Sequence, residues 1–323
     1  MLAIYAPRGP SLERIPFEKG ASVPEEAVWF DLVNPTLEED RAVEQALGIA
    51  VPTREEMQEI EVSSRLYVEN GSRYMTATLL CHSDTAIPKT TPVTFVLSGH
   101  RLVTLRYDEP RPFTLITNKL ARVCPPSITG EMVLTDLLDA VIDRAADILE
   151  RIGMEVDQIS HDIFEPEDAR PDRSYNTILI SIGRKGDLTS KARESLVSIG
   201  RLLLFLVNEA DNIRLPKDMR TLIKSMHRDI QSLSDHATYL TNKITFLLDA
   251  MLGVVSLQQN NIIKIFSVVA VVLMPPTLVA SIYGMNFRHM PELDWTFGYP
   301  LALGIMLIAA ILPYLFFKWK KWL

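Results

Sequence analysis

The sequence predicts an α/β domain followed by a long helical stalk and two C-terminal transmembrane helices. Three observations support this prediction. Strand-like and helix-like runs alternate over residues 1–125, helical periodicity then continues over most of the remaining chain, and two long uncharged apolar stretches lie near its C-terminal end. A chain of 323 residues has room for one large domain or two.

Residues 1–125 form the predicted cytosolic α/β domain. Runs rich in Val, Thr, Tyr and Phe predict strands at Ala27–Val33, Arg73–Cys81, Pro92–Leu97 and Arg101–Tyr107. Helices are expected at Leu37–Leu47 and, with Thr53 as N-cap, at Arg54–Ile60. The dipeptide Asn70-Gly71 predicts a tight hairpin turn between Arg65–Glu69 and Arg73–Cys81.

Residues 126–215 predict an acidic helical hairpin. Its first helix begins near Glu131, its tip is expected at Glu165–Pro171, and its second helix runs to about Asn212. Between Glu131 and Asp168 there are twelve acidic residues and two arginines, so this arm is strongly negative. A solvated charged face and a surface that gathers cations are both consistent with that charge.

Residues 216–284 predict one long stalk helix that continues into the first transmembrane span. Apolar residues recur at helical spacing from Leu222 onward, and no proline interrupts the pattern before Pro275. A single helix from about Asp218 to Gly284 would be on the order of 100 Å long at 1.5 Å per residue.

Two stretches are long enough to cross a bilayer. Ile265–Phe287 and Trp295–Phe317 each contain 23 residues without a charge, more than the roughly 20 that a span requires. A buried core helix would explain one such run more easily than two in tandem. We therefore expect an outer loop at residues 285–294, a second span at 295–317 and a basic tail at 318–323.

Charge predicts the membrane topology. The tail carries Lys318, Lys320 and Lys321, and Lys264 precedes the first span. The positive-inside rule then places both termini in the cytoplasm, with the short connection between the spans outside the cell. An inner-membrane location follows, and the N-terminal residues do not resemble a cleaved signal peptide.

Composition argues against several other classes of protein. A net charge of -7 does not favour nucleic-acid binding. Cys81 and Cys124 do not form a disulfide framework or a zinc motif. The six histidines are scattered, without His-x-x-x-His spacing, and there is no Gly-rich phosphate loop, so we do not expect an enzyme.

One stripe of the stalk helix is mostly small or polar. Read at alternating steps of four and three, it contains Asp249, Gly253, Ser256, Asn260, Ile263, Ser267, Ala270, Met274, Thr277 and Ser281. A polar stripe on a membrane helix faces water or protein, and small residues also permit ordinary helix packing. Since two helices cannot enclose an aqueous pore, a pore would require several copies around an axis.

The segment Tyr283-Gly284-Met285-Asn286-Phe287 carries a family resemblance. Gly-Met-Asn at the end of the first of two C-terminal spans, the following Met290-Pro291-Glu292-Leu293 and the basic tail resemble the CorA family of magnesium channels. Alone, such a tripeptide is a common helix terminator. The resemblance is closest over about Asn260–Leu323, and upstream it lies mainly in the layout of the chain.

The resemblance implies a funnel-shaped homopentamer whose long helices line a pore for Mg²⁺. It implies Gly284, Met285 and Asn286 as the selectivity filter, with Asn286 contacting the hydrated ion. By match of motif and register it further implies pore positions at Asn260, Met274 and Thr277. The stripe adds Ile263, Ser267, Ala270 and Ser281 as candidates for lining the pore. Asp249 corresponds to an acid that binds regulatory Mg²⁺ with a partner in the α/β domain, for which Asp84, Asp108 and Glu109 are candidates.

The predicted function is inward movement of Mg²⁺, and also of Co²⁺ and Ni²⁺, gated by cytosolic Mg²⁺. Glu292 and Asp294 in the outer loop are expected either to concentrate cations or simply to be solvated. Two alternatives remain: a zinc transporter of the related branch, and a membrane-tethered sensor or scaffold that transports nothing. The Met-Pro-Glu-Leu loop favours the magnesium branch.

Overall fold

The computed structural model describes residues 1–17, 23–85, 87–125, 127–164, 175–286, 290–291, 295–320 and 322. These residues form two compact units, Met1–Leu247 and Leu248–Leu323. The predicted hairpin tip at Glu165–Pro171 lies outside the described residues.

The first unit is built around a mixed seven-stranded sheet. Its strands are β1 (Leu2–Arg8), β2 (Ser11–Pro16), β3 (Trp29–Val33), β4 (Leu66–Glu69), β5 (Ser72–Cys81), β6 (Lys89–Ser98) and β7 (Arg101–Arg106). Their order across the sheet is β2-β1-β3-β7-β6-β5-β4. The pair β3–β7 is parallel, with Asp31 opposite Thr104, and the other strand pairs are antiparallel.

Helices cover both faces of this sheet. They are α1 (Leu37–Leu47), α2 (Arg54–Met57), α3 (Val62–Arg65), α4 (Arg111–Leu120), α5 (Gly130–Phe164) and α6 (Tyr175–Glu209). On one face, Phe30 and Val103 of the sheet pack in a core with Val43 of α1 and Met57 of α2. On the other face, Phe113 of α4 lies with its ring 6.5 Å from Trp29 and 6.3 Å from Phe95.

Local sequence signals explain where several elements begin and turn. Thr53 caps α2 in a capping box with Glu56, as the sequence predicts, but α2 ends at Met57 and does not reach Ile60. A separate short helix, α3, follows, and its C-cap Leu66 is already extended. Asn70 and Gly71 have φ values of 47° and 80°, which fits the predicted hairpin turn between β4 and β5.

Two further helices follow α6. Helix α7 runs without a break from Lys217 to Tyr283 and contributes to both units, and α8 spans Gly298–Trp319. The predicted stalk helix, from about Asp218 to Gly284, differs from α7 by a single residue at each end. Leu37–Leu47 was likewise predicted with its observed bounds.

Candidate functional site

Helix α7 carries the complete predicted stripe. Every stripe residue from Asp249 to Ser281 lies in this one helix and is exposed in the isolated chain. A heptad spacing drifts by roughly 20° per heptad on a straight α-helix, so the stripe turns by about 80° between Asp249 and Thr277. Copies of α7 that all present this stripe to a common axis would therefore need a left-handed supercoil.

Both apolar helices leave most of their surface uncovered. In each, only 6% of the most apolar 18-residue window is buried, and both helices are long and apolar enough to cross a membrane. A core helix of a soluble domain would be mostly buried. The exposed apolar surface must therefore meet lipid or further protein, because water solvates it poorly.

Pro275 and Pro276 remove two backbone hydrogen bonds of the helix in the middle of the predicted span. Neither residue has an N–H, so the carbonyls of Val271 and Val272 lose their usual helical donors. The helix continues through both prolines, and the Thr277 hydroxyl donates to the Leu273 carbonyl at 2.6 Å. Two backbone acceptors without helical donors thus lie one turn before Pro275 and Pro276, close to the stripe residues Met274 and Thr277.

The Gly284-Met285-Asn286 segment follows directly after α7. Gly284 N–H donates to the Ala280 carbonyl at 2.9 Å, and Met285 N–H to the Ile282 carbonyl at 3.3 Å. Gly284 is not among the described residues with a positive φ, so it does not end the helix by adopting a left-handed conformation. Instead, a Cβ at this position would lie 3.1 Å from the Ala280 carbonyl oxygen, which favours glycine sterically.

Asn286 is exposed, and its amide makes no hydrogen bond to another described residue. The predicted outer-loop acids Glu292 and Asp294 lie outside the described residues, as do positions 287–289. The filter and loop assignments therefore stay predictions.

Asp84, one of the candidate acids of the α/β domain, is surrounded by arginines. Its carboxylate contacts Arg111 at 2.5 Å and Arg144 at 2.9 Å, and it also pairs with Arg151. The hydrogen bond from Arg151, supported by the charges of Arg144 and Arg111, lowers the pKa of Asp84 below its ordinary value. Three guanidinium groups already compensate this carboxylate, so it is a poor ligand for a further cation.

The other two candidates, Asp108 and Glu109, differ from each other. Asp108 contacts Lys89 Nζ at 2.5 Å and His82 Nε2 at 3.0 Å. Burial by itself would raise the pKa of Asp108, but these hydrogen bonds lower it. Glu109 is exposed, and its side chain has no ion-pair partner among the described residues. Of the three acids, Glu109 is the one that remains available to a cation.

Within the part of one chain that the structure describes, no complete metal-binding set is gathered. Among the described residues, no three His, Cys, Asp or Glu side chains come together around a common point. Asp249 is exposed on α7, without an ion-pair partner in the described part of the chain. Sequence reasoning missed the three arginines at Asp84, because α4 and α5 bring them from positions 27 to 67 residues further along the chain.

Comparisons with known proteins agree with this architecture. The profile of the CorA family, described as CorA-like Mg2+ transporter protein, matches residues 24–320. The magnesium transport protein CorA of Pasteurella multocida (strain Pm70) is 36% identical over 297 residues, 92% of each chain. That of Escherichia coli (strain K12) is 37% identical over the same length and coverage.

A solved structure shares the fold. The complete CorA magnesium transporter from Methanocaldococcus jannaschii superposes with a TM-score of 0.75 at 18% identity, over 100% of this chain and 99% of that one. At this identity the likeness concerns the fold alone. It confirms the predicted class: an α/β domain, a long helix and a C-terminal apolar helix.

Proposed function

Because the chain belongs to the CorA-like Mg²⁺ transporter family, whose transported ion is Mg²⁺, we propose that several copies of it form a channel for hydrated Mg²⁺. The observation that carries this proposal is α7, one uninterrupted helix whose small and polar stripe leads to Gly284-Met285-Asn286. Members of a transporter family need no enzymatic activity for this role.

The stripe is proposed to line the pore. The residues proposed to line it, in and just before the first span, are Asn260, Ile263, Ser267, Ala270, Met274, Thr277 and Ser281, all exposed in the isolated chain. Two apolar helices per chain cannot surround water, so the channel is proposed to be a homo-oligomer, and the family resemblance favours a pentamer. Ile263 and Phe266 are bulky and would form a narrow apolar constriction.

Asn286 is proposed to select the hydrated ion. Mg²⁺ dehydrates reluctantly and usually keeps several waters. A ring of neutral Asn286 amides, free of other hydrogen bonds in the described chain, offers acceptors to those waters without holding the ion tightly. Weak binding of this kind permits conduction. Co²⁺ and Ni²⁺, which form hydrated divalent ions as well, are proposed to pass through the same route.

The membrane potential supplies the driving force. With both termini in the cytoplasm, ions move inward, and a divalent ion gains roughly 4.6 kcal/mol per 100 mV of inside-negative potential, twice the single-charge value. A bacterial inner membrane is the proposed location.

Cytosolic Mg²⁺ is proposed to close the channel at Asp249. Carboxylates that face one another across subunits repel when empty, and a bound divalent cation would remove this repulsion and favour the closed state. Glu109 is a better candidate than Asp84 or Asp108 for the partner acid on a neighbouring copy, since those two are already paired with basic side chains.

Flux into liposomes that contain only this protein tests the proposed channel. We expect Mg²⁺ to enter down its gradient, and Asn286→Ala to reduce the flux at least tenfold, because the amides that accept from the waters of the ion are lost. The matched control is Asn208→Ala, at an exposed position of α6 within the first unit, which should conduct as wild type does.

Other outcomes would favour the alternatives. Absence of Mg²⁺ flux in the wild type would leave a tethered sensor or scaffold. Uptake of Zn²⁺ coupled to protons would instead support a transporter of the zinc branch.

A further inference from the structure

A cavity of about 820 Å³ opens in the first unit, away from the predicted pore residues. It lies between the β6–β7 turn, the start of α5 and the connection from α6 to α7. Its volume is within the 300–1,000 Å³ range typical of sites for small organic molecules. Much of its wall is apolar, with contributions from Met132, Ile213, Leu215, Met219 and Leu222.

Glu131 is the polar group that sets this cavity apart. It lines the cavity although only 6% of the residue is exposed. His100 Nδ1 lies 2.8 Å from Glu131 Oε1 and must donate to it, since a carboxylate only accepts. The second oxygen, Oε2, is buried and has no hydrogen-bond partner among the described residues. A buried carboxylate oxygen without a donor is costly, and a ligand could supply that donor.

The backbone fixes Glu131 in this place. Gly130 N–H donates to the His100 carbonyl at 2.6 Å, and a Cβ on Gly130 would lie 2.5 Å from Leu102 N. The start of α5 is therefore pressed against β7, which fixes the backbone of Glu131 beside the β6–β7 turn. Rotation about its last side-chain bond is soft, so one oxygen can keep His100 while the other faces the cavity.

The rim of the cavity contains strained backbone. Arg214, in the connection between α6 and α7, has a φ of 50°, which is unfavourable for a residue with a Cβ. Leu215 N–H donates to Ala210 O at 3.1 Å, and Arg220 Nε holds Leu215 O at 2.8 Å. These bonds hold the rim in shape in spite of the strain at Arg214. Such strain is concentrated at ligand-binding and active sites.

The charges around the cavity define what it would accept. Three acids, Glu131, Asp136 and Asp218, and two arginines, Arg73 and Arg214, line the cavity, so its lining is net negative. Arg73 pairs with Glu209 at 3.4 Å, and Asp136 pairs with Lys119 at 3.1 Å. Glu131 Oε2 is left as an acceptor beside an apolar wall. We propose that this cavity binds a small organic cation, a protonated amine with an apolar body, whose ammonium group donates to Glu131.

Binding of 2-phenylethylammonium to the full chain in lipid nanodiscs tests this assignment. The neutral isostere 2-phenylethanol is the matched probe. We expect the amine to bind at least tenfold more tightly than the alcohol by calorimetry. It should also slow amide hydrogen exchange at lining residues of the cavity, among them Gly99, His100 and residues 212–215.

Three variants locate the interaction. Glu131→Gln keeps the side-chain size and should remove the tenfold preference for the amine. Asp136→Asn removes a carboxylate from the same cavity wall, yet it should leave the affinity within twofold because that carboxylate is already paired with Lys119. Met219→Trp, which fills the cavity without altering Glu131, should abolish binding of both probes, and it serves as the test if Glu131→Gln fails to fold.

Equal binding of amine and alcohol to the wild type would overturn the proposal, and so would unchanged amine affinity in Glu131→Gln or in Met219→Trp. Protection of the same amides by Mg²⁺ alone, lost in Glu131→Gln, would also overturn it, because the cavity would then be a site for a metal ion.

Discussion

Asp31 is a buried carboxylate in the centre of the sheet, 3% exposed. Its two oxygens accept from Arg106 at 3.1 and 2.8 Å, and Oδ1 also accepts from the Thr104 hydroxyl at 2.7 Å. Arg106 in turn stacks over Phe113, 4.6 Å from the ring centroid. The network joins the parallel strands β3 and β7 and ties them to α4.

We expect Asp31→Ala to lower the free energy of unfolding by about 3–5 kcal/mol, because the Arg106 charge would stay buried without its partner. Denaturant titration followed by the fluorescence of the tryptophans, including buried Trp29, would measure the loss. Glu13→Ala is the control, since its pair with Arg8 is exposed and contributes at most about 1 kcal/mol. Similar effects of the two substitutions would contradict the argument.

Asp84 gives a pH-dependent prediction. Its arginines hold its pKa below the unfolded value of about 4, so its ionised form stabilises the fold at neutral pH. This contribution is lost as the pH falls from about 4 through the lower folded pKa. Asp84→Asn should therefore cost about 1 kcal/mol at pH 7 and progressively less below pH 4.

Thermal unfolding of wild type and variant at pH 7, 5 and 3 would measure this difference. Asp211→Asn is the control, because the Asp211 side chain is 87% exposed and should contribute little at any pH. A difference between Asp84→Asn and wild type that is the same at all three values would contradict the linkage.

At the residue scale, the sequence displays the Gly-Met-Asn motif but not the surroundings of individual acids. Gly284, Met285 and Asn286 are contiguous, so the motif was visible in the chain itself. The surroundings of Asp84 and Glu131 were not visible in the sequence. Tertiary packing brings Arg144 and Arg151 to Asp84, and His100 to Glu131. Burial of a charged side chain leaves no mark at its own position in the sequence.

Among the elements, α5 can pack closely against the sheet because Gly130, its first residue, has no side chain. We expect Gly130→Ala to destabilise the protein by about 1–3 kcal/mol or more, because its Cβ would overlap the backbone of β7, which cannot move as a side chain does. Thermal unfolding would measure this. Gly183→Ala, within α6, meets nothing within 4 Å, and we expect it to stabilise α6 by about 0.5–1 kcal/mol. If Gly130→Ala were no more destabilising than Gly183→Ala, the close approach of α5 to the backbone of β7 would be refuted.

Elements with strong periodicity were predicted almost to the residue, as α7 and α1 show. The weaker ones were missed for physical reasons. Strand β1 is apolar on both faces and contains Pro7, so it does not alternate. Helix α4 contains the β-branched Thr114, Ile116 and Thr117, whose intrinsic preference opposes a helix, and packing of Phe113 against the sheet overrides it.

For the whole molecule, the proposed regulation predicts a change in inhibition. Asp249→Ala should leave at least severalfold more Mg²⁺ flux than wild type at millimolar internal Mg²⁺, because the cation would no longer bridge subunits there. Flux at low internal Mg²⁺ should be unchanged. Asp235→Ala, an exposed acid two heptads earlier on α7, is the control. Equal inhibition of wild type and Asp249→Ala would exclude Asp249 from the sensor.

The order of the two units along the chain has a consequence for biosynthesis. Met1–Leu247 precedes both predicted apolar spans, Ile265–Phe287 and Trp295–Phe317, so the ribosome completes this unit before either span can engage the membrane-insertion machinery. Domains generally fold as units, the N-terminal one first. Variants such as Asp31→Ala should therefore reduce the amount of inserted protein and leave ion selectivity unchanged in the molecules that reach the bilayer. Abundance and selectivity would then report on separate parts of the chain.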